Sequence, residues 1–113
     1  MGLKMRIDEV GTHFATLHLI GRVDSETSPN LDHEIQELIT KAVYTIILDM
    51  KEVSIISSAG VGVIIKSQTT LRKKKGDLVI MNMQDQVKKV FEIIRMLPAL
   101  NVFESVEELD AYL

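Results

Sequence analysis

Cysteine is absent from the 113-residue chain, which removes disulfides, thiolate-ligated zinc, iron–sulfur clusters and cysteine nucleophiles at once. Tryptophan is absent too, and aromatic residues make up 4%, leaving little that could stack on nucleobases. No apolar stretch approaches the ~20 residues that a membrane-spanning helix needs. The opening Met1-Gly2-Leu3-Lys4-Met5-Arg6-Ile7 lacks the apolar core and cleavage site of a secretory signal, so a cytoplasmic location is expected. Charge of one sign is also scarce: 13 Lys+Arg face 16 Asp+Glu for a net −3. Nucleic-acid binders carry basic faces with pI above about 9, whereas this chain has a pI near 5.6, so no direct nucleic-acid partner is expected. The one basic run, Arg72-Lys73-Lys74-Lys75, falls where a helix should end and complements its dipole.

What is present is an ordinary globular balance, 46% hydrophobic and 26% charged, on a length that suits one domain over 1–113. No internal repeat, low-complexity tract or linker divides it. Leu3 to Asp8 alternates apolar and charged residues, the period-2 mark of a strand with one wet face. Gly11-Thr12 then makes a turn into a second strand from His13 to Ile20, closed by Gly21. After a polar stretch, Ser28 is placed to cap a helix with Pro29 in its first position. Leu31, Ile35, Leu38 and Ile39 form the apolar face of that helix.

Tyr44 to Leu48 is apolar without alternation, as in a strand covered on both faces. A polar stretch and Val53-Ser54-Ile55-Ile56 follow it. A second helix starts near Ser57 or Ser58 and runs to Lys75, with Gly76 in the left-handed position that ends it. Leu78 to Met81 is another buried strand. Val87, Val90, Phe91 and Ile94 mark a third helix that stops before Pro98. Leu100 to Phe103 suits a short strand, and Ser105 with Glu108 forms a capping box for a final helix. The expected fold is therefore α/β, a single mixed sheet of four to five strands with helices packed against it, in the order β-β-α-β-α-β-α-(β)-α.

Enzymatic constellations are missing. His13 and His18 lie at an odd spacing on one strand and point to opposite faces, which makes a shared metal improbable. There is no Gly-x-Ser-x-Gly elbow and no phosphate-binding Gly-x-x-x-x-Gly-Lys loop. No catalytic residue, metal or cofactor is expected, and the chain reads as a non-enzyme. The informative segment is Ile55-Ile56-Ser57-Ser58-Ala59-Gly60-Val61-Gly62, a buried strand running into a small-residue turn with two serines at a helix start. Either serine could serve as an N-cap. A hydroxyl there is also a good phosphoryl acceptor, because free amides and the helix dipole favour a dianion.

Ser58-Ala59-Gly60-Val61-Gly62 is similar, in register, to the apolar-Asp-Ser-Ser/Ala-Gly-Leu/Val-Gly signature of the sulfate-transporter and anti-sigma-factor-antagonist (STAS) domain. Gly21-Arg22-Val23-Asp24 with Thr27 resembles the segment that follows that family's second strand. Val87 to Phe91 with Met96-Leu97 resembles its third helix. The resemblance spans essentially the whole chain and is to the small, stand-alone bacterial form. Where the family has an acidic residue before its phosphorylated serine, this chain has Ser57.

The resemblance implies a partner-switching regulator, an anti-sigma factor antagonist. Its unmodified form binds an anti-sigma factor that is itself a serine kinase and so frees the sigma factor. Phosphorylation dissociates the pair, and a serine phosphatase reverses the modification. The implied acceptor is Ser58, with Ser57 as the fallback. Asp24, Thr27, Ser28, Ser57, Ala59 and Gly60 are the implied partner-binding residues. Two other classes fit the same helix start: a nucleotide- or anion-binding STAS module, and a regulatory subunit of a transport system. Titration with GTP and ATP separates the first from partner switching, and a neighbouring permease gene would favour the second.

Overall fold

The computed structural model describes residues 2–11, 13–94 and 101–103. The expected C-terminal helix with Ser105 and Glu108 lies outside the described residues, as does Thr12 of the first turn. Strands β1 (Leu3–Gly11) and β2 (Phe14–Val23) form the expected hairpin, followed by α1 (Ser28–Thr40), β3 (Thr45–Ile56), α2 (Ser58–Lys73), β4 (Asp77–Met81), α3 (Asp85–Ile94) and β5 (Asn101–Phe103). The five strands lie in the order β1-β2-β3-β4-β5. The first pair is antiparallel and the rest are parallel. Right-handed crossovers that always step the same way place their helices on one face. The main core records this, with Ala15, Leu17, Leu19, Ile46, Leu48, Leu78 and Ile80 packed with Leu31, Ile35, Ile64, Leu71 and Phe91. Ile47, Val79 and Met81, of opposite parity, form a second, smaller cluster with Phe14.

Three local expectations are corrected. Gly21 does not close β2; the strand runs on through Val23, and Gly21 sits inside it at φ +119°. A Cβ there would lie 2.4 Å from the Gly2 carbonyl oxygen, so only glycine fits.

The polar stretch after Leu48 does not interrupt the third strand. His18 pairs with Asp49 and Ile20 with Glu52, then Gly21 with Val53 and Arg22 with Ile55, so β3 carries an extra residue at each of two bulges. Each extra residue resets which face the next side chain meets. Met50, Val53 and Ile56 therefore all reach the main core although they are three residues apart.

Finally, Gly76 does not take the left-handed position at the end of α2; Lys75 does, at φ 65°. The Gly76 amide donates to the Leu71 carbonyl and the Lys75 amide to the Arg72 carbonyl, the paired bonds of a Schellman turn. Glycine is required at 76 for another reason: a Cβ there would lie 1.7 Å from the Tyr44 carbonyl oxygen. Helix α1 ends the same way, with Ala42 at φ 63° and Val43 bonded back to Leu38.

Candidate functional site

The site lies beyond the carboxyl ends of β2 and β3, where strand-to-helix turns cluster. The parallel pairing of Val23 with Ile56 sets the two turns side by side. The Ser57 amide donates to the Val23 carbonyl at 2.9 Å and closes the gap between them. Gly60 seals the joint, because a Cβ there would lie 2.7 Å from Val23 Cγ1 and 2.9 Å from Ile56 Cγ1. The Asp24 loop and the Ser57–Gly60 turn are thus brought together.

The first turn is internally satisfied. The Thr27 hydroxyl accepts from the Asp24 amide at 2.9 Å and donates to the Arg22 carbonyl at 2.8 Å. The Asp24 carboxylate accepts from the amides of Glu26 and Thr27, each at 3.0 Å. Those bonds, the Thr27 amide foremost, outweigh desolvation and hold the Asp24 carboxyl below its ordinary range. The expectation that Ser28 caps α1 is corrected: the capping position falls on Thr27, and Ser28 is already helical. Thr27 and Ser28 are buried, and the Thr27 hydroxyl shapes the loop from within rather than lining its surface. Asp24 stays partly exposed.

The second turn is different. Ser57 is the N-cap of α2, extended at φ −101° and ψ 172°, and its hydroxyl accepts from the Gly60 amide at 3.4 Å. Ser58 occupies the first helical position and is exposed, as is Ala59. The amides at this end have no partner within the helix. Ile55, two residues before the cap, presents an apolar side chain to solvent at 51% exposure.

Sequence reasoning missed the residues that brace this end, from β3 itself, the loop after β4 and the first turn of α3. The bulges leave β3 backbone groups without strand partners, and side chains take them up. Asp49 accepts from the Lys51 amide at 3.1 Å, Gln84 donates to the Lys51 carbonyl at 2.8 Å and Gln86 to the Ser54 carbonyl at 3.2 Å. Nothing in the local pattern marks Gln84 or Gln86, because the groups they satisfy lie more than thirty residues away.

The family profile described as STAS domain matches residues 5–109. The chain belongs to the STAS domain family. It is 31% identical over 106 residues to BtrV of Bordetella bronchiseptica, described as a candidate anti-sigma factor antagonist, covering 93% of this chain and 90% of that one. It is 27% identical over 93 residues to the anti-sigma-B factor antagonist of Listeria monocytogenes, covering 82% of each. Among solved structures, the anti-sigma factor antagonist SpoIIAA in its unphosphorylated form superposes with a TM-score of 0.75 at 22% identity, over 96% of this chain and 94% of that one. SpoIIAA of Bacillus in its phosphorylated form gives 0.73 at 22% identity, over 97% and 100%. The mixed sheet and its helices are the STAS fold. No helix among the described residues is long and apolar enough to cross a membrane.

Proposed function

We propose that this STAS domain is an anti-sigma factor antagonist, and that Ser58 is the residue whose phosphorylation breaks its complex with an anti-sigma factor serine kinase. One observation carries the choice of residue: of two adjacent serines, Ser57 has its hydroxyl engaged as the cap of α2, while Ser58 is exposed one position on. The names of the Bordetella and Listeria relatives support the antagonist role. SpoIIAA, of the same fold, exists in phosphorylated and unphosphorylated forms.

The chemistry asks no catalytic group of this chain, only a presented hydroxyl and a shaped surface. The kinase supplies the ATP site, and a serine phosphatase resets the switch. A phosphate adds about −1.5 to −2 charges, taking the net −3 to roughly −5. The helix N-terminus accommodates that dianion in the free protein. In a complex the same group must be desolvated against the partner, which opposes docking. Asp24, Ala59 and the exposed Ile55 lie on the surface that would meet the partner, and Thr27, Ser28 and Gly60 support it from beneath.

The test is phosphorylation by the cognate anti-sigma factor kinase with ATP, read by peptide mass spectrometry. The expected result is one phosphate on Ser58, lost in Ser58→Ala and retained in Ser57→Ala. Ser58→Ala should still bind the kinase, and Ser58→Glu should bind it more weakly. A phosphate that maps to Ser57 and survives Ser58→Ala overturns the assignment. Failure of the kinase to bind or modify any form overturns the function.

A further inference from the structure

On the face of the sheet away from α1 and α2, His18 is held between two carboxylates from the strands on either side. Its Nδ1 lies 2.8 Å from Asp49 Oδ2 of β3, and its Nε2 lies 2.8 Å from Asp8 Oδ2 of β1. The side chain of Asp49 is 7% exposed and that of Asp8 52% exposed. The groups around the ring are Arg6 and Asp8 from β1 and Asp49, Lys51 and Glu52 from β3, with Asn82 after β4 donating to the other oxygen of Asp49. Most of them line a shallow pocket of about 60 Å³ through which solvent reaches the ring. Among the described residues, no three histidine or acidic side chains converge in a geometry that could hold a metal ion.

We propose that His18 is a proton-operated latch that fastens the edge strand β1 to the interior of the sheet. A carboxylate accepts hydrogen bonds and donates none, so the two bonds coexist only while the imidazole carries a proton on each nitrogen. Asp49 fixes which proton stays. Burial raises its carboxyl, but hydrogen bonds from the Lys51 amide, the Asn82 amide group and His18, with the charge of His18, outweigh that and hold it low. Asp49 therefore remains an acceptor through the imidazole range, and the neutral ring keeps its proton on Nδ1. Loss of the other proton leaves a bare Nε2 lone pair against Asp8. The half-exposed Asp8 then turns to water or to Arg6, 3.9 Å away, and β1 loses this side-chain tie while its backbone ladder to β2 remains. The residue just before β1 adjoins the end of β2 that leads into the candidate site, since the Gly2 carbonyl accepts from the Arg22 amide at 3.4 Å.

The experiment is amide hydrogen exchange in the strands, corrected for intrinsic rates, together with imidazole nitrogen spectra between pH 5.5 and pH 8. In the wild type, protection of β1 relative to β4 should fall about fivefold as pH rises, the loss of one partly exposed charge-assisted bond. The ring at pH 8 should carry its proton on Nδ1. In Asp8→Asn the side-chain amide can accept from a protonated Nε2 and donate to a bare one, so protection should be indifferent to pH. A wild-type ratio that does not change with pH overturns the latch. So does an equal fall in Asp8→Asn, or a proton found on Nε2 at pH 8.

Discussion

Two helices, α1 and α2, begin at the same end of the sheet, one after each of two paired parallel strands, and both carry adjacent hydroxyl residues at their start. At α1, Thr27 and Ser28 are buried, and the Thr27 hydroxyl accepts from the Asp24 amide and donates to the Arg22 carbonyl and, more weakly, to the Asp24 carboxylate, all within its own loop. At α2, Ser57 is used by the helix and Ser58 stands in solvent. The same residue types thus build a loop in one place and leave a hydroxyl in solvent in the other. What separates them is burial and prior engagement of the hydroxyl.

The contrast breaks most visibly at Thr27. Thr27→Val keeps the shape but strands the Asp24 amide and the Arg22 carbonyl, and it should cost about 2–3 kcal/mol in urea denaturation. A loss within about 0.5 kcal/mol would mean that the α1 hydroxyls are no more structural than the exposed one. The serine pair sharpens the comparison. Ser57→Ala should cost about 1 kcal/mol through the cap, while Ser58→Ala should stay within about 0.5 kcal/mol of wild type. Equal losses would show that both serines cap.

The smallest difference belongs to the carboxylates, and it is present at neutral pH and fades in acid. Asp24 and Asp49 both titrate below their ordinary range. The stability they contribute is present above the unfolded value of about 3.9 and disappears as pH falls through the folded value. Wild-type stability should therefore decline below about pH 4, and the decline should flatten in Asp24→Asn and flatten further when Asp49→Asn is added. An unchanged acid limb in the double variant would show that other groups govern it.

Much of the fold was legible because α1 and α2 keep strict helical spacing, as Leu31, Ile35 and Leu38 or Val61, Ile64 and Leu71 show. The third strand was not legible as one piece, because its bulges break the period of two on which strand recognition rests. The start of α1 misled for a similar reason. Thr27 and Ser28 are both cap-forming types, and only the fold shows that the Thr27 hydroxyl points back to Arg22. Left-handed positions went to Ala42 and Lys75, where no local preference marks them. In the candidate site, the Ser57–Gly62 segment could be read from its composition and its place after a strand. The bracing by Gln84 and Gln86 and the seat of His18 could not, since each joins partners far apart in the chain.

The strand order that simply follows the chain has a consequence for how the molecule is made. No strand has to insert between two that are already paired; each one adds to the edge left by the segment before it. During synthesis from the N-terminus, the hairpin offers an edge to β3, and β2, α1, β3 and α2 complete both turns of the candidate site by Lys73. Such stepwise growth keeps each loop closure as short as a parallel crossover allows. Both turns of the candidate site are encoded before Gln84 and Gln86, so these two bracing residues are the last of its parts to be made.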